Sequence, residues 1–570
     1  MTAMTTRAVM WKKTPTSSAI ELLDFYKVGH PFHYPQGMTL LSSNFTPRSL
    51  KHMKTIPTSF LNYVLTKYID ASGKDVEALL APVKEIVNGI DREHVVWIGM
   101  QRLAIEVLID YFNETFFYVP YEEAVEFFKE IVEEGIGPGK ITYDHIKALH
   151  DLGYLPLTIR ALPEGTKVPV KVPVLIVENT HKDFGWVTNS IESLLSCEMW
   201  KTVVNATIAY GLRQLLDKFA ELTDCPKELV PYLAHDFSMR GMSGWNDAGS
   251  SGIGHAKFFT GSDNIPAISK IKRFYGRTYV GGSVPATEHS VACANIAYIE
   301  HCLRTEGHWH GENIAFADPD NTGDYKLMAE RLFFKHYITE IVPTGIASYV
   351  SDTFDYFGVL TKVLPWAKQW IMARKPDAFG FCKVVVRPDS GDPLMILCGD
   401  PDSTDENERK GSAKILWEIF GGAVSPNGFK VVDSHIGLIY GDSITPTSLL
   451  QILVGFYVLG FSISICVYGI GSYTYQYVTR DSASLAMKAT FSVVDGVDLS
   501  LQKDPKTDKS GKKSAKGRLV VVNDGTAEEP VYRLIEDATE KDFENDCMIE
   551  VFRDSTLRHR VNFDQVRAQN

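Results

Sequence analysis

Six times between residues 229 and 472 an apolar, β-forming run stops at a short stretch of polar and glycine residues, and helical patterning follows. Leu229 to Ala234 leads into His235-Asp236-Phe237-Ser238-Met239-Arg240-Gly241, Gly282 to Ala286 into Thr287-Glu288-His289-Ser290, and Ile346 to Val350 into Ser351-Asp352-Thr353-Phe354-Asp355. Cys382 to Val386 leads into Arg387-Pro388-Asp389-Ser390-Gly391, Phe429 to Val432 with Ile436 to Tyr440 into Gly441-Asp442-Ser443, and Phe461 to Tyr468 into Gly469-Ile470-Gly471-Ser472. Alternation of this kind predicts βα units and an α/β fold. A barrel of parallel strands collects its site at the strands' carboxyl ends, where these polar residues fall.

The end at Arg387 carries the most chemistry. Val384, Val385 and Val386 read as a strand covered on both faces, Pro388 forbids its continuation, and Gly391 lets the chain turn close to a ligand. Arginine offers a planar fork of donors to phosphate oxygens. The neighbouring Asp389 suits a hydrated Mg²⁺ that bridges such oxygens.

Around this region the grammar changes. Residues 14–200 mix amphipathic helices (Asp75 to Asn88, Tyr121 to Glu134) with strands such as Val168 to Glu178, and residues 486–570 return to short strands, including Arg518 to Val522. The expected organisation is an N-terminal α+β domain over 14–200, an α/β barrel over 201–485 and a β-rich segment over 486–570 that completes the second domain. Residues 305–323, with His308, Trp309 and His310, read as an insertion, either a solvated loop or a metal site.

A net charge of −12 argues against general affinity for nucleic acid or anionic membranes, because binding a phosphate backbone needs a basic face. The eight cysteines form no Cys-x-x-Cys and read as reduced thiols of a cytoplasmic protein. Arg7, Lys12 and Lys13 precede no apolar core, so no secretory signal is expected. Leu449 to Gly471 is uncharged and long enough to span a bilayer, yet Gly455, Gly460 and the alternation of Phe461 to Ile465 predict a buried helix, a turn and a strand instead.

In order, His-Asp-Phe-x-x-Arg-Gly, Gly261-Ser262-Asp263, Ser-Val-Pro-Ala-x-Glu-His, Ser-Asp-x-x-Asp, Arg-Pro-Asp-Ser-Gly, Gly-Asp, Gly-x-Gly and Thr479-Arg480-Asp481 resemble the nicotinate/nicotinamide phosphoribosyltransferase family, the type II phosphoribosyltransferases. The similarity runs from Leu22-Leu23-Asp24-Phe25-Tyr26-Lys27 to Lys516-Gly517-Arg518. It implies an irregular (β/α) barrel with a second α+β domain built from both chain ends. It also implies a homodimer with shared sites that transfers phosphoribosyl from phosphoribosyl pyrophosphate to nicotinamide, with Mg²⁺ and with ATP as co-substrate.

By that resemblance Phe237 and the partner subunit's Tyr26 stack on the base, and Asp263 accepts from its carboxamide while repelling the acid analogue. Asp24 joins the base pocket. Arg240 and Arg387 hold phosphate, Arg387 also bordering the base, Arg480 holds the 5′-phosphate, and Arg48, Lys488, Ser283 and Lys503 are further phosphate-side positions. Gly441 and Asp442 contact ribose, Gly471 and Ser472 belong to a phosphate loop, and Asp389 holds a ribose hydroxyl or the hydrated Mg²⁺. His289 is the histidine phosphorylated by ATP, flanked by Glu288, with Asp355 orienting its ring. His235 matches a pocket position without an assigned role.

Departures from the family pattern are the bulkier Gly469-Ile470-Gly471-Ser472-Tyr473 loop, Ala486 in place of a hydroxyl, and Arg273 in place of a lysine. The basic 503–518 stretch, with Lys503, Lys506, Lys509, Lys512, Lys513, Lys516 and Arg518, is one residue longer than expected. No Gly-x-x-x-x-Gly-Lys-Ser/Thr is present, so ATP use would not run through a P-loop. Competing readings are a nicotinate phosphoribosyltransferase and a non-catalytic binding protein on the same fold.

Overall fold

The computed structural model describes residues 17–53, 76–277, 279–504 and 513–569. Six parallel strands follow one another in a sheet: Ala347–Val350, Val384–Arg387, Ile436–Tyr440, Cys466–Ile470, Ala234–Asp236 and Gly261–Ser262. Residues 282–287 carry the ladder from one edge to the other through single bridges, Gly261 to Gly282 and Ala286 to Ser348. Pro285 has no N–H to give, so this segment makes contacts at its ends and no regular strand between them. The result is an irregular barrel whose staves stand in chain order.

Helices cover the outside, among them Trp245–Ala256, His289–Glu306, Tyr325–His336 and Pro446–Leu459. Val384 and Val386 are fully buried beneath that layer, and burial of one such side chain is worth about 1.5–3 kcal/mol. This is why the strand starts apolar and turns polar only where it leaves the layer.

The second unit is an antiparallel sheet in the order Val497–Ser500, Ala486–Val494, Met38–Thr46, Leu175–Asn179, Leu157–Ala161, Ile549–Arg553 and Thr556–Leu557. Its strands come from both chain ends, as the resemblance implies. A single 31-residue helix, Glu192–Leu222, runs through residue 200, where a domain division was expected.

Several expected elements shift. Leu229 to Ala234 is mostly helical turn (Lys227–Leu229, then Val230–Leu233, with Pro231 in its first turn), and the strand begins only at Ala234. Proline fits an opening helical turn better than a central strand. Ser462 accepts a hydrogen bond from the Ser464 N–H, holding Ile463–Ile465 in a 3-10 turn before the strand Cys466–Ile470. Val168 to Glu178 divides into Lys167–Pro169 and Leu175–Asn179, broken at Lys171 with φ 71°. The 305–323 insertion holds a hairpin, His308–Trp309 with Glu312–Asn313, and the helical turn Ile314–Ala317. The uncharged stretch is the buried helix Pro446–Leu459, closed by left-handed Gly460; among the described residues no helix is long and apolar enough to cross a membrane.

Candidate active site

At the barrel mouth Asp352 gathers three groups from neighbouring stave ends. One carboxylate oxygen lies 3.0 Å from His289 Nε2. The other accepts from the Asp389 N–H at 3.2 Å and the Ser390 hydroxyl at 2.6 Å. Sequence reasoning gave the histidine to Asp355, and the structure corrects this: the Asp355 carboxylate accepts from the Gly358 N–H at 2.8 Å and caps the turn Tyr356–Gly358. The signal was present, since an aspartate directly before a helical turn is the natural N-cap, which leaves the first acid of Ser-Asp-x-x-Asp for His289. Glu288 accepts from the Ser290 hydroxyl at the start of the same helix.

Arg387 leaves its strand beside this group. Its Nη2 donates to the Thr287 carbonyl at 2.8 Å, while its Nε is buried with no hydrogen-bond partner among the described residues. An unpaired buried donor is costly unless something binds there.

Across the mouth, Phe237 lies against two glycines. A Cβ on Gly469 would sit 2.3 Å from the Phe237 ring and one on Gly441 3.0 Å, so both stave ends are side-chain-free where the ring rests. His235 tilts toward Phe237 with ring centroids 4.8 Å apart. His235 Nε2 meets Asp263 Oδ1 at 2.8 Å, and the Ser283 hydroxyl donates to the same oxygen. Burial pushes the Asp263 carboxyl up, but His235, Ser283 and Arg387 outweigh it and hold the group below the ordinary carboxylate value.

Carboxylates ring the rest of the opening. Burial, followed by Asp442, Asp392, Asp389 and Asp352, drives the Tyr440 hydroxyl well above its usual range. That hydroxyl donates to the Gly391 carbonyl at 2.7 Å and so shapes the Asp389 turn. Among the described residues no three acidic, histidine or cysteine side chains converge as a metal cage.

Four of the expected phosphate cations, Arg48, Lys488, Lys503 and Arg480, form a second group. Burial and the neighbouring Arg48, Lys503 and Arg480 hold the Lys488 ammonium below the ordinary lysine value, against the pull of Glu192. Arg48 is fixed by Nε donation to the Ser484 carbonyl at 3.1 Å. Glu192 also pairs with buried Lys27 at 2.8 Å, next to Tyr26, which is 64% exposed. Asp24 accepts from Ser193 in the same neighbourhood. Among the described residues no hydrogen bond or ion pair joins these cations to the Phe237–Asp263 group. Arg240 stands exposed on the turn Met239–Gly241, and Ser472 packs against Gly241. Lys506, Lys509 and Lys512 lie outside the described residues.

A nicotinamide phosphoribosyltransferase of Acinetobacter baylyi is 41% identical over 504 residues, covering 88% of each chain. The chain belongs to the nicotinate/nicotinamide phosphoribosyltransferase family. The model described as the nicotinate phosphoribosyltransferase (NAPRTase) family matches residues 339–555. A nicotinamide phosphoribosyltransferase of Xanthomonas campestris is 29% identical over 420 residues, 73% of this chain and 79% of the relative. The crystal structure of human nicotinic acid phosphoribosyltransferase shares the fold, with a TM-score of 0.51 at 14% identity over 96% of this chain and 92% of that one. This member of the family is a phosphoribosyltransferase, a glycosyltransferase of pyridine-nucleotide metabolism. The family segment contains Asp352, Arg387, Asp389, Arg480 and Lys488, whereas Phe237, Asp263 and His289 precede it.

Proposed function

We propose that the pyridine base is nicotinamide, giving nicotinamide mononucleotide and pyrophosphate from phosphoribosyl pyrophosphate. The observation that carries this is Asp263: its Oδ1 already accepts from Ser283 and meets His235, and the carboxyl is held low. An ionised acceptor at the edge of the Phe237 platform suits a carboxamide N–H and repels the carboxylate of nicotinate. Arg387, whose Nε has no hydrogen-bond partner among the described residues, and Arg240 would meet the sugar phosphates, where fixed positive groups stabilise the charge that gathers on departing pyrophosphate. Asp442 and Gly441 would face the ribose. Gly471 and Ser472 would line its phosphate.

Among the described residues of one chain Arg48, Lys488, Arg480 and Lys503 share no bond with the base site, and Tyr26 is exposed. This supports a homodimer in which the partner supplies Tyr26, Asp24 and part of the phosphate group. Asp389 would hold hydrated Mg²⁺, which when bound neutralises pyrophosphate charge. His289 is the group we assign to phosphorylation: the γ-phosphoryl of ATP passes to a ring nitrogen, a P–N bond replacing the P–O bond, with ADP leaving. Donation of Nε2–H to Asp352 leaves the lone pair on Nδ1 of a side chain that is 47% exposed. A cytoplasmic location fits the eight free cysteines.

Nicotinate is the second reading, favoured by the description of the family model and by the closeness of Arg387, a partner for a carboxylate, to Asp263. Initial rates with each base, phosphoribosyl pyrophosphate and Mg²⁺, with and without ATP, decide between them. The expected preference is nicotinamide by at least about 10-fold, largely lost in Asp263→Ala. A faster reaction with nicotinate would overturn the amide assignment.

A further inference from the structure

Behind the mouth, a buried histidine uses both ring nitrogens to bridge the base side and the phosphate side. His255, in the helix Trp245–Ala256, is completely buried. Its Nε2 lies 3.0 Å from the Gly261 carbonyl and its Nδ1 2.8 Å from the Tyr475 hydroxyl. A carbonyl only accepts, so Nε2 carries the proton, Nδ1 is the acceptor and Tyr475 donates. Burial keeps the imidazole neutral, its pKa lowered to about 4.

Each end of this bridge reaches one half of the site. Gly261 starts Gly261-Ser262-Asp263, whose last residue bonds His235 and Ser283. Tyr475 is also fully buried and closes the turn Ser472–Tyr475 that follows the Gly-x-Gly stave end. The Tyr475 carbonyl is held by the Asn205 amide at 3.1 Å. A second tie runs in parallel: the Gln476 amide donates to Ser243 at 2.6 Å and its oxygen accepts from buried Lys201, which pairs with Asp247 at 2.9 Å. The His255 bridge is the fully buried one of the two, while the Gln476 tie ends on exposed Ser243.

We infer that His255 and Tyr475 are positioning residues that fix the distance between the base-recognising strand and the phosphate loop, so that base and sugar phosphate are held in reacting alignment. The inference rests on the proposed reading of those two segments. Both residues are completely buried, behind the surface a substrate would meet. Tyr475 stands two residues beyond Tyr473, the end of the bulkier Gly469 to Tyr473 loop.

Alignment is a property of the ternary complex and not of either ligand alone, and this separates positioning from general support of the fold. In Tyr475→Phe, kcat should fall about 10- to 100-fold. Nicotinamide binding measured without the sugar phosphate should stay within about three-fold, a shift of under ~0.7 kcal/mol. His255→Gln, which keeps one N–H donor and one acceptor, should retain most of kcat, whereas His255→Leu should match Tyr475→Phe. Unchanged kcat in Tyr475→Phe, equal losses in Gln and Leu, or a loss confined to binding of the single ligands would each overturn the inference. If Tyr475→Phe does not fold, the Gln and Leu pair at His255 carries the same test. A wild-type enzyme that makes nucleotide from neither base would overturn the substrate reading and this inference with it; an active wild type isolates the inference.

Discussion

The barrel mouth and the cation group of the antiparallel unit are both charged, and they are built in opposite ways. At the mouth the two central carboxylates already have protein partners: Asp352 holds His289, Ser390 and the Asp389 backbone, and Asp263 holds His235 and Ser283. In the cation group Lys488 sits among Arg48, Lys503 and Arg480 with one carboxylate, Glu192, at 3.7 Å. The first arrangement is preorganised by opposite or neutral partners. The second stores like-charge repulsion that an anion relieves.

Asp352→Ala should test that difference hardest, because it strips three partners at once and leaves His289 unoriented. We expect kcat/KM to fall about 100-fold or more and any stimulation by ATP to vanish, read by steady-state rates with and without ATP. Activity within three-fold of wild type would show that the mouth does not depend on its hub. Next in size, Lys488→Met should raise KM for phosphoribosyl pyrophosphate about 10-fold, ~1.4 kcal/mol, without lowering Tm in the absence of ligand, since a repelled charge has been removed. Added pyrophosphate should raise the Tm of wild type more than that of the variant, and equal shifts would remove Lys488 from the anion site.

The smallest effect is expected for Ser283→Ala, a few-fold loss of preference for the amide. Asp263 has its carboxyl held below the ordinary value of 3.8, so whatever depends on its charge is present above that value and fades as pH falls through the depressed one. Removing one donor moves this acid limb upward. A pH profile of base preference identical in wild type and variant would mean that Ser283 has no hold on Asp263.

The same contrast explains what could be read from the chain. Arg387 was legible because it sits where an apolar run meets proline, glycine and polar residues, a local pattern, whereas Phe237 and Asp263 were named through the family resemblance. Asp355 was chosen over Asp352 because the motif offers two acids three residues apart, and the capping signal that separates them was not used. The start of the first stave was misplaced for a related reason: Val230 to Leu233 is as apolar as a strand, and Pro231 alone argues for the turn it forms. Assembly of the cation group could not be read at all without the family resemblance. Arg48 and Lys488 are brought together by the pairing of Met38–Thr46 with Ala486–Val494, where Asn44 faces Lys488 across the ladder. Pairing between segments so distant in sequence leaves no local trace.

The two single bridges that close the barrel around Pro285 make a seam. A closed hoop is only as stiff as its weakest joint, and this joint lies between the stave of Asp263 and the stave that leads to Asp352. Ser283 and His289 stand on or beside it, and Arg387 reaches over the intervening stave to the Thr287 carbonyl, like a clasp drawn across the gap. Amide exchange should accordingly be faster at Gly282 and Thr287 than at Val385 or Leu438, on the continuous side of the hoop. Recruitment of Arg387 by a phosphate would loosen or tighten the same joint that sets the spacing between the two ends of the reaction.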